Sequence, residues 1–229
     1  MTTSAHILLG SGEQNLITAT GLSDLHAQVR DAIDQRQPIC FSGATPGRFF
    51  CGGFDLDDLL KKPDAEIRTV FEELLVLTRR VFSAPVPVLT MAQGHAVGVG
   101  AMLALASDRC VMAPKAKMRF PEVVIGLGTL GDIVDLLRYR TTARMAERMA
   151  ALAQPVTAGE AVSLGLVDAL AAEGLEAEAE LAVLTDGLDR EAFLSAKEIC
   201  RRGMLPTPIE RQLDAFMPGW SAYRAKRSG

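Results

Sequence analysis

The sequence has little of what nucleic-acid-binding or membrane proteins need. Its 24 Lys and Arg residues are scattered and are outnumbered by 28 Asp and Glu, which gives a net charge of −4 and a pI near 5.5. Without a basic patch, nucleic acid is not an expected partner. The most apolar window, residues 86–106, is interrupted by Gln93, His95, three glycines and one proline. That pattern favours a buried strand–turn–helix over a membrane span.

The chain also lacks paired cysteines. Cys40, Cys51, Cys110 and Cys200 are widely spaced and form no C-x-x-C motif, so neither a metal site nor a thioredoxin-type site is expected. Three of the four lie in apolar surroundings and are expected to be small core residues. The N-terminus has no basic region followed by a long apolar region, so no signal peptide is expected. These absences favour a reducing, cytoplasmic location.

What is present fits one large domain, or one domain with a small appendage. The 229 residues are 48% hydrophobic, enough to build a substantial core. In the first half, short apolar runs alternate with amphipathic helical patterns. Strands are predicted at residues 7–9, 16–20, 39–42, 86–91 and 109–112, and helices at 23–36, 66–82 and 101–106. Such alternation predicts an α/β fold with crossover connections.

After residue 130 the pattern becomes mostly helical. Helices are predicted at residues 133–140, 143–153, 158–164, 175–186, 191–202 and 208–216. Thr157 followed by Glu160 is a capping-box pattern for the third of them. The sequence therefore predicts an α/β core followed by a helical C-terminal region.

Two glycine-rich stretches each follow a predicted strand and precede a helix. They are GATPGRFFCGGFDLDDL at residues 43–59 and GHAVGVGAMLALASD at residues 94–108. Neither has the G-K-[ST] of a phosphate loop, and the second lacks the third glycine of a dinucleotide fingerprint. Each alone fits a tight turn and a closely packed helix. Together they place free backbone N–H groups after two strands, and two such groups converging on one oxygen form an oxyanion hole. Enolate formation from a thioester uses such a hole without a nucleophile.

Four ordered blocks resemble the crotonase, or enoyl-CoA hydratase/isomerase, superfamily. They are FCGGFDL at 50–56, PVPVLTMAQGHAVGVGAMLALASD at 85–108, AKMRFPEVVIGL at 116–127 and VTAGEAVSLGLVDAL at 156–170. The resemblance covers residues 38–172, whereas the first 37 residues match poorly and suggest a shortened opening strand pair. It implies a crotonase-like ββα spiral core at residues 1–172. A helical C-terminal region, 173–229, would then assemble a homotrimer or a dimer of trimers.

The resemblance also implies where the acyl-CoA thioester binds. The backbone N–H groups of Phe54 and Val99 would form the oxyanion hole. Small side chains are usual at both positions, so Phe54 and Val99 are expected to reshape the acyl pocket. The residues expected to line the substrate pocket are Gly53, Gly98, Gly100, Met102, His95 and Leu130. His95 is expected to pack in the pocket wall rather than to catalyse.

The candidate acids are the most informative part of the resemblance. Family hydratases use two glutamates, and Met102 stands at the first of these positions. The second is present as Glu122, whose apolar neighbours are expected to raise its pKa. Dienoyl isomerases and a related dehalogenase carry an aspartate where this chain has Leu130. Asp132 is a secondary catalytic candidate that is first expected to cap or begin the helix at 133–140, as Asp55 is expected to cap its own helix.

One carboxylate and an oxyanion hole suffice to move a double bond. Glu122 would remove the α-proton of a 3-enoyl thioester and return it at the γ-carbon, which is 3-to-2 enoyl-CoA isomerisation. No cofactor is expected, because coenzyme A is part of the substrate. Two alternatives stay open. One is a hydratase that uses another acid, and the other is a family member that binds CoA thioesters with little or no catalysis.

Overall fold

A computed structural model describes residues 4–172, 174 and 176–227. The strands are β1 (Ala5–Leu9), β2 (Ile39–Gly43), β3 (Phe49–Cys51), β4 (Val88–Ala92), β5 (His95–Val97), β6 (Arg109–Met112), β7 (Lys117–Arg119), β8 (Val156–Thr157) and β9 (Ala169–Leu170). The helices are α1 (Ala19–Asp34), α2 (Leu56–Leu60), α3 (Asp64–Phe82), α4 (Val99–Ala106), α5 (Gly131–Arg140), α6 (Ala143–Ala150), α7 (Ala158–Ser163), α8 (Ala177–Thr185), α9 (Arg190–Arg201) and α10 (Ile209–Arg227). A short 3₁₀ helix covers Glu122–Ile125.

The strands form two sheets, and from β2 to β7 successive strands alternate between them. The first sheet has the order β1-β2-β4-β6-β9 and is parallel throughout. The second has the order β3-β5-β7-β8, parallel except for its last pair. Each of β2, β4 and β6 is followed by a short strand of the second sheet and then by helix. This repeated strand–strand–helix unit confirms the predicted α/β spiral with helices at the C-terminal end.

One large apolar cluster joins the two sheets to the helices. The fully buried helix α4 lies at its centre, and α3 contributes eight buried apolar residues to it. Three of the four cysteines, Cys40, Cys51 and Cys110, are buried as expected, and Cys200 is exposed. Among the helices within the described ranges, none combines the length and apolarity that crossing a bilayer requires.

The strand predicted at residues 16–20 is wrong. Leu16 and Ile17 make only isolated bridges, and α1 begins at Ala19, four residues earlier than predicted. The Thr18 hydroxyl caps this helix by accepting the N–H of Gly21 at 3.0 Å. Two apolar residues beside a threonine resemble a strand in sequence, but the local cap and the amphipathic pattern of α1 determine the structure.

Most other boundaries differ from prediction by a few residues. The predicted start of the helix at 175–186 lies outside the described residues, as does residue 173, the first of the predicted C-terminal region. The largest difference is in α10, which passes through Pro218 and continues to Arg227 instead of ending at residue 216. Trp220 and Tyr223 are buried there, so tertiary packing outweighs the cost of a proline inside the helix.

Candidate active site

The chain after β3 is held by residues 14–17. The N–H of Gly52 donates to Gln14 O, that of Ile17 to Gly53 O, and that of Asp55 to Ile17 O, each at 2.9 Å. The C=O and N–H of a trans peptide point in opposite directions. Since Gly53 O faces Ile17, the N–H of Phe54 points away from residues 14–17. Asp55 then caps α2 by accepting the N–H groups of residues 57 and 58, which confirms the predicted cap.

The second glycine-rich stretch places the Val99 amide at the start of α4. Gly98 precedes the helix with φ +51° and ψ −114°, a conformation that favours glycine. Its own N–H donates to Arg119 O at 3.1 Å. Val99 is the first helical residue, so its N–H has no partner within the helix and carries the positive end of the helix dipole.

These two segments lie against each other, and Glu122 lies beside them. A methyl group added at Gly98 would be 3.8 Å from the Cα of Gly53 and 3.4 Å from Oε1 of Glu122. Three parts of the chain therefore meet at one point: the end of β3, the start of α4 and the 3₁₀ helix after β7. Phe54 directly follows Gly53, and Val99 directly follows Gly98. The peptide groups that carry their two N–H groups therefore begin at this point.

Glu122 occupies an apolar environment that disfavours its charge. It opens the 3₁₀ helix, and the left-handed Gly126, with φ +83°, ends that helix. Its Oε2 is buried and has no hydrogen-bond partner among the described residues. Burial raises the pKa of Glu122 from 4.5 to about 7, against smaller opposing effects of a backbone hydrogen bond and of Arg119. A carboxyl group with such a pKa can both accept and return a proton near neutral pH.

A cavity of about 90 Å³ surrounds this meeting point. Its walls are Gly52, Gly53, Phe54, Leu56, Phe71, Leu74, Val97, Gly98, Val99, Met102, Pro121, Glu122, Ile125, Leu127, Leu130, Ile133 and Phe216. Among these described lining residues, Glu122 alone has a titratable side chain. Met102 and Leu130, where the family resemblance leads us to expect acids, are both buried in the apolar wall. An arrangement of this kind can desolvate a reacting group and serve it with one carboxylate.

Two residues expected to line the substrate pocket, His95 and Gly100, lie outside the cavity lining. His95 Nδ1 accepts the N–H of Lys117 at 3.0 Å, and its ring packs edge-on against Phe49 at 5.4 Å. Gly100 faces Cys51 instead, because a Cβ there would lie 2.6 Å from the Cys51 Cβ. Its smallness allows α4 to pack closely on β3. Neither residue contacts the space beside Glu122.

Asp132 is buried in a polar network behind the cavity. Its carboxylate accepts two hydrogen bonds of 2.8 Å from Arg79 and one of 2.7 Å from Gln212. It lies in the first turn of α5, which begins at Gly131. Because its oxygens are occupied by these partners, the structure gives Asp132 a role in joining α3, α5 and α10.

Sequence reasoning missed Asn15, which organises the first half of the site. It is the only asparagine in the chain, is fully buried and adopts φ +49°. Its Nδ2 donates to Thr45 O at 2.9 Å and to Phe49 O at 2.8 Å, and its Oδ1 accepts the N–H of Thr45 at 2.9 Å. These bonds attach the 14–17 segment to the loop that enters β3. A lone asparagine in a glycine-containing turn was the available signal, because Asn tolerates positive φ.

Comparison with a known family supports this architecture. A family model described as Enoyl-CoA hydratase/isomerase matches residues 11–210. The chain is 33% identical over 211 residues to a Rhodobacter capsulatus protein described as "Probable enoyl-CoA hydratase", covering 90% of this chain and 80% of that protein. It is 26% identical to a Danio rerio "Enoyl-CoA hydratase domain-containing protein 3, mitochondrial", covering 90% of this chain and 63% of that protein.

A solved structure shows the same fold over nearly the whole chain. The crystal structure of an enoyl-CoA hydratase/isomerase from Mycobacterium paratuberculosis matches with a TM-score of 0.82 at 20% identity. The match covers 99% of this chain and 96% of that one. At this identity the likeness concerns the fold, including the spiral and the C-terminal helices.

Proposed function

Because the chain belongs to the enoyl-CoA hydratase/isomerase family, we propose that it converts 3-enoyl-CoA thioesters into 2-enoyl-CoA thioesters. The thioester oxygen would bind between the N–H groups of Phe54 and Val99. Both groups are fixed by the fold before substrate arrives, so they stabilise an enolate oxygen without reorganisation. The amide of Val99 adds the field of the α4 N-terminus.

Glu122 would act as the sole proton shuttle. Its carboxylate removes a proton from C2 of the 3-enoyl group, and the electrons of that C–H bond spread over the C1 to C4 dienolate. The resulting carboxylic acid returns the same proton at C4, so the double bond moves to C2–C3 and the enzyme is regenerated. The reaction is redox-neutral and needs no cofactor besides the coenzyme A carried by the substrate.

The observation that carries the proposal is the composition of the cavity wall. Glu122 is the only titratable side chain among its described residues, and Met102 supplies a thioether where a family hydratase would place its first glutamate. Hydration needs both a base to activate water and an acid to protonate the α-carbon. Isomerisation uses one group for both proton transfers.

The direct test offers 3-butenoyl-CoA and 2-butenoyl-CoA to the purified protein in separate assays. We expect conversion of the former to 2-butenoyl-CoA, and hydration of the latter at a rate lower by about 100-fold or more, since acid–base assistance by a positioned group contributes about that much. The Glu122→Gln variant should lose isomerisation by a similar or larger factor.

A matched control is Glu72→Gln, the same exchange at an exposed position of α3. It should retain wild-type rates. Efficient hydration that persists in Glu122→Gln would instead favour a hydratase with another acid. Binding of both thioesters without turnover would favour a non-catalytic member of the family.

A further inference from the structure

Aromatic rings from three elements form one part of the cavity wall. The ring centroids of Phe54 and Phe71 are 5.6 Å apart, and those of Phe71 and Phe216 are 4.4 Å apart. Phe54 follows β3, Phe71 belongs to α3, and Phe216 belongs to α10. All three rings line the cavity, and we call them the aromatic floor.

The aromatic floor is supported from behind. Trp220, with no exposed surface, packs on Phe71 at 5.8 Å, and Tyr223 packs on Trp220 at 5.7 Å. These contacts fill the space into which Phe71 or Phe216 would otherwise move. Displacing either ring would require several buried side chains to shift together, which close-packed interiors resist.

The helix that carries Phe216 is also fixed at its start. Gln212 Nε2 donates to Asp132 at 2.7 Å, and Gln212 Oε1 accepts the N–H of Asp132 at 2.9 Å. Asp132 in turn holds Arg79 of α3 through two bonds of 2.8 Å. Arg68 of α3 adds an ion pair to Glu210 at 2.7 Å. The first turn of α10 is thereby joined to both α3 and α5.

The small volume of this cavity limits what an acyl group can occupy. The cavity measures about 90 Å³, whereas pockets for drug-sized ligands hold about 300–1,000 Å³. The carbons between which the proton moves, C2, C3 and C4, must lie in this cavity beside Glu122. Little of it is then left for a longer acyl tail.

We infer that this enzyme is selective for short 3-enoyl groups, and that Phe216 on the C-terminal helix is the residue that sets the limit. This inference rests on the proposed isomerisation and specifies its substrate class. Phe216 contacts the acyl tail and takes no part in proton transfer. A smaller side chain there opens the cavity toward α10 and admits longer chains.

The test compares kcat/KM for 3-butenoyl-, 3-hexenoyl- and 3-octenoyl-CoA. A hydrophobic pocket discriminates about tenfold or more per methylene, so we expect the wild type to lose at least about 100-fold between the first and second substrates. Phe216→Ala should raise the ratio of the 3-octenoyl to the 3-butenoyl rate by at least about tenfold. Phe193→Ala, the same exchange on α9 outside this cavity, should leave the ratio unchanged.

A binding series separates this inference from the proposed reaction. Titration calorimetry with butanoyl-, hexanoyl- and octanoyl-CoA measures chain-length preference without turnover. If no 3-enoyl-CoA is isomerised but affinity falls steeply with length, the reaction is wrong and the length limit stands. Equal turnover of all three 3-enoyl substrates by the wild type overturns the length limit alone, and failure to bind any thioester overturns both.

The wild-type series decides the length limit even if a variant fails to fold. Circular dichroism identifies that case, and Phe216→Leu then replaces Phe216→Ala as a smaller change of volume in the same direction. A folded Phe216→Leu or Phe216→Ala protein with an unchanged preference would overturn the assignment of Phe216.

Discussion

At the scale of single residues, Glu122 is exceptional because the structure disfavours its charged form. One carboxylate oxygen is buried without a partner among the described residues, and the charge of Arg119 only partly offsets desolvation. Natural proteins keep such groups mainly where they serve a function, since an ordinary surface glutamate avoids the cost.

The pKa of Glu122 predicts how activity depends on pH. A base must be deprotonated in the free enzyme, so kcat/KM should be low below pH 6, rise through an apparent pKa of about 7 and level off above pH 8. A pH profile of 3-butenoyl-CoA isomerisation measures this. An apparent pKa near the ordinary value of 4.5 would show either that Glu122 is not desolvated in the free enzyme or that another base governs the reaction.

The same shift predicts a gain in stability when the carboxyl is removed. A group with a raised pKa in the folded state contributes stability below its unfolded pKa of 4.5, and this is lost as pH rises through about 7. At pH 8 Glu122→Gln should therefore be more stable than the wild type by on the order of 3 kcal/mol. At pH 4.5 the difference should nearly vanish.

Urea denaturation at both pH values tests this prediction. Glu72→Gln, at an exposed position, serves as the control and should differ little from the wild type at either pH. A wild type as stable as Glu122→Gln at pH 8 would contradict the buried environment of the carboxyl group.

Asn15 provides a second prediction at this scale. Asn15→Gly keeps a residue that tolerates φ +49° but removes all three side-chain hydrogen bonds. We expect a loss of about 2–4 kcal/mol in the free energy of unfolding. The kcat should also fall about 10- to 100-fold, because the Phe54 amide loses its fixed position.

The control for Asn15 is Glu13→Gly, at an exposed position in the same turn, which should behave like the wild type. The apparent pKa of Glu122 should stay unchanged in Asn15→Gly, since Asn15 bonds to Thr45 and Phe49 and not to Glu122. A destabilised Asn15→Gly protein with a full kcat would restrict Asn15 to a structural role.

At the scale of elements, helix α4 has different partners at its two ends. Its N-terminus presents the Val99 amide, and its C-terminal carbonyls are bound by cations. Arg140 donates to Leu105 O at 3.0 Å, and Arg201 donates to Ala106 O at 3.3 Å. Positive groups at a helix C-terminus complement the helix dipole, so these contacts stabilise the helix that forms half of the proposed hole.

Asp108, just after α4, balances the charge of this cluster. It binds Lys197 at 2.8 Å and Arg201 at 2.9 Å, and all three side chains are less than a tenth exposed. Asp108→Asn would leave two buried cations without a counter-charge, so we expect a loss of about 3–5 kcal/mol in unfolding free energy. Chemical denaturation measures it, with Asp24→Asn on the exposed face of α1 as control.

A double variant distinguishes charge from packing at this site. Burial lowers the pKa of Lys197 despite the neighbouring Asp108, so Lys197 carries much of the unpaired cost when Asp108 is lost. Asp108→Asn combined with Lys197→Met should recover part of the stability. The Val88 N–H donates a hydrogen bond to Asp108 Oδ2 at 2.8 Å. No recovery would indicate that the weakening of this bond, rather than the unpaired charge, dominates the loss of stability.

The elements differ in how well their sequence predicts them. The helices α3, α5 and α7 were predicted within two residues at either end, and the Thr157–Glu160 capping box is confirmed, because periodicity and caps are local signals. The three-residue strands β3, β5 and β7 were not predicted as strands. So short an element is defined by its neighbours in the sheet, which the local sequence does not encode.

At the scale of the whole molecule, the assembly predicted from the family resemblance stays a prediction. Several large apolar side chains of the C-terminal helical region are exposed, among them Val183, Leu188 and Ile199 at 54–65%. Light scattering coupled to size exclusion should give three or six times the chain mass of 24.5 kDa. A mass of one chain at micromolar concentration would contradict the expected trimer.

The sequence alone determined the family and the fold class, and it predicted the candidate site residues. The glycine-rich turns, Met102 and the apolar residues around Glu122 are features of short segments, so they can be read without coordinates. Together with the family resemblance, they predict Glu122 as the single catalytic acid.

Only the tertiary structure decided what surrounds that acid. The glycines before Phe54 and Val99 meet because β3 and β5 are neighbours in one sheet, and the aromatic floor closes because α10 folds back onto α3. Phe216 was not predicted to line the cavity for the same reason. Burial, desolvation and cavity volume depend on contacts between residues far apart in the chain, and the local sequence contains no record of them.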